Sequence, residues 1–218
     1  MKSQDIGLLL KLVALQNFES IESHDNKAMA MLPDDWRDWE PDASSEQHDE
    51  HYVYRDSEAR YQERFSVRAL AQETGISKSQ VSLSLQRCKY VGLVRRDRRL
   101  GIPRTNTRAL FNFIVHGLRY VFPARPGEIT RGIATSFGAP VLEGKLISAG
   151  ELLMVWPDAR GNTRGQAIKP LFKSVPHAVR RDPTLYAMLA LVDAIRIGQP
   201  RESLLAAKML AEQLEVSP

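Results

Sequence analysis

The chain has 218 residues, 43% of them hydrophobic and 26% charged, with a formal net charge of +4 and one cysteine. That composition is ordinary for a globular protein with a real core and excludes a disulfide scaffold or a cysteine-rich zinc module. The opening "MKSQDIGLLLKLVALQNFES" breaks its apolar run with a lysine, which argues against a secretory leader or a membrane span; a cytoplasmic protein is expected.

The modest net charge conceals a division. Residues 1–59 hold 5 basic and 14 acidic side chains, whereas residues 60–108 hold 12 basic and 3 acidic. A segment that basic needs an anionic partner, and nucleic acid is the commonest. A solvated basic face, or one neutralised by the acidic segment, is the plainer alternative.

Taken in order, residues 3–16 predict a helix capped by Ser3, with Ile6, Leu9, Leu10, Val13 and Ala14 as its apolar stripe. Residues 18–59 lose the pattern and read as a long acidic insertion. Within it, Trp36 and Trp39 are candidate anchors. "EQHDEH", with His48 and His51, has metal-ligand chemistry but reads better as a solvated loop. Residues 66–74, "SVRALAQET", predict a short helix capped by Ser66 and ended by Gly75.

The next helix starts at Ser77 and runs to about Val91, where Gly92 stops it. Ser77 and Gln80 have capping-box spacing. Val81, Leu85 and Cys88 form an inner stripe, which leaves serines 77, 79, 82 and 84 unexplained. Small hydroxyls let a helix backbone approach a hydrogen-bonding groove closely, and the partial positive charge at the helix start favours phosphate. "LVRRDRRLGIPRTNTR" then predicts a strand, a turn with arginines 95, 96, 98 and 99, and a return. Asn106 or Thr107 caps a further helix that ends at Gly117.

From Leu118 the texture becomes rich in glycine and proline. Leu118–Phe122 reads as a short strand, "GEITRGIATSFG" as a tight structural loop, and "ELLMVWP" and "QAIKPL" as strands joined by a hairpin turn carrying Arg160 and Arg164. The end predicts two helices, with Pro183 and Pro200 at their starts. His116 and His177 are isolated. Cys88 lies on the buried stripe and reads as a small core residue. No P-loop, dinucleotide fingerprint, metalloprotease helix or nucleophile–base–orienter set is present in the sequence. A non-enzyme without a cofactor or bound metal is expected.

The expected fold is mainly α with small β (α+β). A winged helix-turn-helix domain occupies residues 1–117, and a mixed region at 118–218 ends in a helical hairpin. "FSVRALAQETGISKSQVSLSLQRCKYVGLV" resembles the DNA-binding unit of bacterial winged-helix regulators of the MarR and related types. The matching features are Gly75–Ser77, Val81–Ser82, Leu85 and Gly92–Val94, over about residues 65–108. The C-terminal region resembles, faintly, that of regulators encoded beside toxin or abortive-infection genes.

The resemblance implies a recognition helix at about 77–91 in the major groove and a basic wing at 95–104 on the backbone or minor groove. The implied DNA-binding residues are Ser77, Lys78, Ser79, Gln80, Ser82, Arg87, Arg95, Arg96, Arg98, Arg99 and Arg104. Leu83 departs from the family pattern, which often has a polar or basic residue there. The implied partners are double-stranded DNA and a second copy of the chain, with an effector acting on the C-terminal region. The N-terminal helix and the C-terminal pair are the candidate dimerisation elements. The implied function is transcriptional regulation, as a repressor. The alternative is an antitoxin-like or assembly protein whose winged helix contacts protein.

Overall fold

The computed structural model describes residues 1–17, 57–143 and 152–217. The acidic insertion lies almost wholly outside them, and with it Trp36, Trp39, His48 and His51. The architecture is a mainly helical α+β arrangement with two small β elements.

Helix α1 (Ser3–Asn17) is the centre of the molecule. Every residue from Asp5 to Leu15 is buried, so the helix is enclosed on all sides instead of carrying one apolar stripe. Its start is held by Asp5, whose carboxylate accepts from the Lys2 amide at 2.7 Å; Ser3 is already helical. Leu8, Leu9, Leu10 and Leu12 lose all their exposure, and each contributes about 2 kcal/mol of hydrophobic stabilisation. Helix α2 (Ser57–Arg64) follows the acidic segment and extends into what reads as loop. Its Tyr61 ring meets Phe65 edge-on at 5.1 Å.

Helices α3 (Val67–Thr74) and α4 (Lys78–Tyr90) pack on α1. Ser66 caps α3 by accepting from the Ala69 amide, and Gly75 ends it at φ 67°, a conformation that costs other residues about 1–2 kcal/mol. Strands β1 (Val94–Arg96) and β2 (Pro103–Thr105) pair antiparallel, with Val94 opposite Thr105 and Arg95 opposite Arg104. Asn106 caps α5 (Thr107–His116). Residues Leu118–Val121 then form a short helix, α6, where a strand is expected.

The region expected to be a tight loop is instead the longest strand, β3 (Pro126–Thr135). Strands β4 (Met154–Pro157) and β5 (Thr163–Ile168) are both antiparallel to β3 and parallel to each other, so they are not a hairpin. The three strands close into a small barrel. Closure brings backbones together where side chains cannot fit. A Cβ on Gly132 would lie 2.1 Å from the Trp156 carbonyl oxygen, and one on Gly165 would lie 2.2 Å from that of Leu153.

After a short helix α7 (Val175–Val179), α8 (Pro183–Ile197) lies against α1 and the barrel, and α9 (Pro200–Gln213) returns along it. All twelve residues from Leu185 to Arg196 are buried. One hydrophobic cluster therefore joins side chains from both sides of residue 117. The two elements considered for dimerisation, α1 and the apolar face of α8, are both used up inside their own chain.

Buried charges fasten these layers. Lys11 of α1 meets Asp182, the N-cap of α8, at 2.8 Å and Glu73 of α3 at 3.3 Å. Asp193 of α8 accepts from Trp156 Nε1 at 2.6 Å, from Arg196 at 2.6 Å and from Thr135 at 3.2 Å. That set of donors pins the barrel to α8. Among the described residues, no helix is long and apolar enough to cross a membrane, and no cluster of histidine, cysteine and carboxylate side chains has a metal-binding arrangement.

Candidate nucleic-acid interface

The chain makes this surface in one continuous run from α3 to β2. Val81, Ser84 and Cys88 turn α4 toward the core. Ser84 is therefore an inner residue, in contrast to the outward hydroxyl expected from the sequence. It is buried because its Oγ donates to Asp5 in a short hydrogen bond. Leu85 is only partly buried.

At the start of α4, Ser77, Lys78 and Ser79 are exposed. Ser77 occupies the N-cap position, but its side chain makes no capping bond; its Oγ lies 3.3 Å from that of Ser79. The expected partner in a capping box, Gln80, accepts instead from Gln4 Nε2 at 3.2 Å, so Gln80 is turned toward α1. Ser82 is half-buried on the flank. The outward face of α4 is Ser79, Leu83, Gln86 and Tyr90, all exposed and spaced as one helical stripe. Gln86 and Tyr90 are not legible from an inner stripe of Val81, Leu85 and Cys88. Taking the inner stripe as 81, 84 and 88 would have found them, because they lie opposite it.

Arg87 does not project freely. Its Nη2 lies 2.6 Å from Asp5 Oδ1 and its Nε 3.0 Å from Oδ2. Arg87, expected as a phosphate or guanine contact, is held in this pair while its side chain keeps 29% exposure. A bidentate partner already occupies the guanidinium, and Asp5 would be left buried without it. Burial pushes the Asp5 carboxyl up, but the hydrogen bonds from Arg87, Ser84 and the Lys2 amide outweigh it and hold the group below its ordinary value. Burial, with the nearby Asp5 charge, pushes the Cys88 thiol up to about 12.

Gly92, at φ 77°, turns the chain from α4 into β1. The hairpin tip is organised by Asp97. Its Oδ1 accepts from the amides of Leu100 at 2.7 Å and Arg99 at 2.9 Å, and its Oδ2 lies 2.8 Å from Arg104 Nε. The Leu100 amide, followed by the opposing pull of slight desolvation and then the Arg99 amide and Arg104, keeps this carboxyl below its ordinary value. Leu100 and Ile102 are buried and anchor the tip. Arg95, Arg96, Arg98 and Arg99 are exposed. Arg96 Nε donates to the Gly101 carbonyl at 2.9 Å, so two arginines of the expected six, Arg96 and Arg104, are partly committed to shaping the hairpin. A third, Arg87, is committed to Asp5.

The C-terminal region braces the turn that leads into α4. Ser174 Oγ donates to the Thr74 carbonyl at 2.8 Å, and His177 Nε2 lies 2.8 Å from the Gln72 carbonyl. A Cβ on Gly75 would come within 2.8 Å of Ser174 Cβ. His177 is thus a structural contact between α7 and α3. Arg180, at the end of α7, pairs bidentately with Asp158 of the barrel at 2.7 and 3.0 Å.

Chemically, the surface combines short hydroxyls at a helix start, one lysine, and a rigid turn bearing several guanidinium groups. That set suits a polyanion whose charges are regularly spaced. Compared with protein-family models, with curated proteins and with solved structures, the chain matches none at a significant level.

Proposed function

We propose that the protein is a sequence-specific double-stranded-DNA-binding regulator, built on a winged helix-turn-helix of the MarR-like type. In this reading, α4 enters the major groove by its N-terminal end and the β1–β2 hairpin is the wing. The observation that carries it is the exposure of Ser77, Lys78 and Ser79 at the start of α4 and of Arg95, Arg98 and Arg99 on the hairpin that follows it. Hydroxyls and a lysine at a helix start position the helix on phosphates, and arginines on a narrow turn follow the backbone or the minor groove. Occupying promoter DNA excludes polymerase, so repression is the action proposed. A single unit of this size covers little DNA, and a homodimer on two half-sites would supply the rest. The C-terminal region, braced on the turn before α4, is the place for an effector to act.

A second reading has its own support. Leu83, Tyr90 and Val91 are exposed apolar side chains on or beside α4, which suits a protein partner in an antitoxin-like or assembly complex.

The test is a mobility shift with DNA from upstream of the protein's own gene, repeated with Arg95, Arg98 and Arg99 changed to Ala. Specific retardation lost in the variant supports the regulator. Failure of the unaltered protein to bind at low salt supports the protein-contact reading.

A further inference from the structure

The outward stripe of α4 has an unusual composition for a surface that meets DNA. Ser79, Leu83, Gln86 and Tyr90 include no cation, and Leu83 keeps 45% of its surface exposed and Tyr90 92%. The guanidinium nearest the stripe in sequence, Arg87, is held by Asp5. Guanine is read best by a cationic fork aimed at its O6 and N7 acceptors, and the middle of this stripe offers none. It offers an apolar side chain and a primary amide instead.

These two chemistries have specific complements in the major groove. An aliphatic side chain contacts the 5-methyl of thymine, and a glutamine amide pairs with the N6 donor and N7 acceptor of adenine. Leu83 and Gln86 are three residues apart, or about 4.5 Å along the helix axis. That is close to the roughly 3.4 Å rise between stacked base pairs, so the two side chains can address neighbouring pairs. We propose that Leu83 and Gln86 are the base-reading residues of α4, and that each half-site carries A·T pairs beneath them, thymine methyl against Leu83 and adenine against Gln86. The Tyr90 hydroxyl, two turns beyond Leu83, meets the backbone at the groove edge. This inference rests on the DNA-binding reading above and specifies what that site reads.

The full-length protein is used to select duplexes with a randomised centre at low salt, and the retained sequences are compared. Two chemical changes to a selected duplex follow: thymine to uracil, which removes only the methyl, and adenine to 7-deazaadenine, which removes only the N7 acceptor. Each is measured against unaltered protein, Leu83→Ala and Gln86→Ala.

The expected result is fixed A·T pairs in the selected duplexes. Each single change, in protein or in DNA, weakens binding on the order of fivefold to tenfold. Uracil costs Leu83→Ala nothing further, and 7-deazaadenine costs Gln86→Ala nothing further. Because the DNA changes leave the protein intact, the losses on the altered duplexes with unaltered protein stand whether or not the variants fold. Selected duplexes without fixed A·T pairs, or protein and DNA changes whose effects multiply independently, overturn the inference and leave the DNA-binding reading standing. Retention of no duplex at all overturns both, and assigns Leu83 and Tyr90 to a protein contact.

Discussion

Asp5 and Arg87 lie 82 residues apart in the chain and are joined by two bonds, at 2.6 and 3.0 Å, that tie the first turn of α1 to the last turn of α4. The Asp5 side chain has no exposure, while that of Arg87 keeps 29%. Removing the two members should therefore have unequal effects. Asp5→Ala strands a guanidinium and the Ser84 hydroxyl, and is expected to cost about 3 kcal/mol. Arg87→Ala leaves a carboxylate with no exposure and no cationic partner, so it should be the costlier of the two, at about 3–5 kcal/mol. Asp5→Ala and Arg87→Ala combined in one chain should cost less than the sum of the two single changes. Urea unfolding of the four proteins gives the coupling directly.

The same pair sets a pH dependence. The folded Asp5 carboxyl lies below its ordinary value of 3.8, because hydrogen bonds from Arg87, Ser84 and Lys2 outweigh the upward push of burial. Its contribution is then fully present above that value and is lost as the pH falls through the lowered folded one. Asp158, pushed up by burial but held lower by the combined hydrogen bonds and charges of Arg180 and Arg160, acts in the same direction. Unfolding free energy measured from neutral pH downward should begin to fall near about pH 4. In Asp5→Asn the curve should be lower at neutral pH and flatter in acid.

On the DNA-binding reading, arginines with different structural duties should differ in their salt response. Arg95→Ala, Arg98→Ala and Arg99→Ala should leave thermal stability nearly unchanged, since these side chains are exposed. Each should reduce the slope of log affinity against log salt by about 0.9 if it contacts one phosphate. Arg104→Ala should instead loosen the turn that Asp97 holds, and its effect should show in both stability and affinity.

The barrel glycines give a steric test. Gly132→Ala and Gly165→Ala place a methyl within 2.1 and 2.2 Å of a carbonyl oxygen, so a strand must separate and each should cost more than about 3 kcal/mol. Gly92→Ala meets open space among the described residues, with φ at +77°, and should cost only the backbone strain of about 1–2 kcal/mol.

Cys88 has no exposed surface, and its thiol is pushed up to about 12. A disulfide reagent at mildly alkaline pH should modify it only as fast as the protein unfolds. Rapid labelling of the native protein would show that α4 opens away from α1.

The elements legible in the sequence were those fixed by local chemistry. Ser66, Gly75, Gly92 and Asn106 mark the ends of α3, α4 and α5 because each meets a need of its own few neighbours, a side-chain cap or a positive φ. What failed depended on distant partners. Strand β3 reads as a loop because Gly132 and its proline-led start are poor strand formers, and they become a strand only when β4 and β5 close around them. Ser84 and Arg87 looked available because their partner, Asp5, belongs to another helix. Gln86 and Tyr90 are illegible for the related reason that the spacing favours Leu85 over Ser84 on the inner stripe, which rotates the outward face by a fraction of a turn.

The enclosure of α1 has a consequence for how the protein is made. This helix leaves the ribosome well ahead of the partners that follow it, since Lys11 meets Asp182 across 171 residues and Asn17 meets Gln213 across 196. The side of α1 that rests on α8 has no cover until α8 has been synthesised, although α3, α4 and β2 arrive earlier. For most of translation the nascent chain carries a greasy helix with that side bare, a natural target for chaperones.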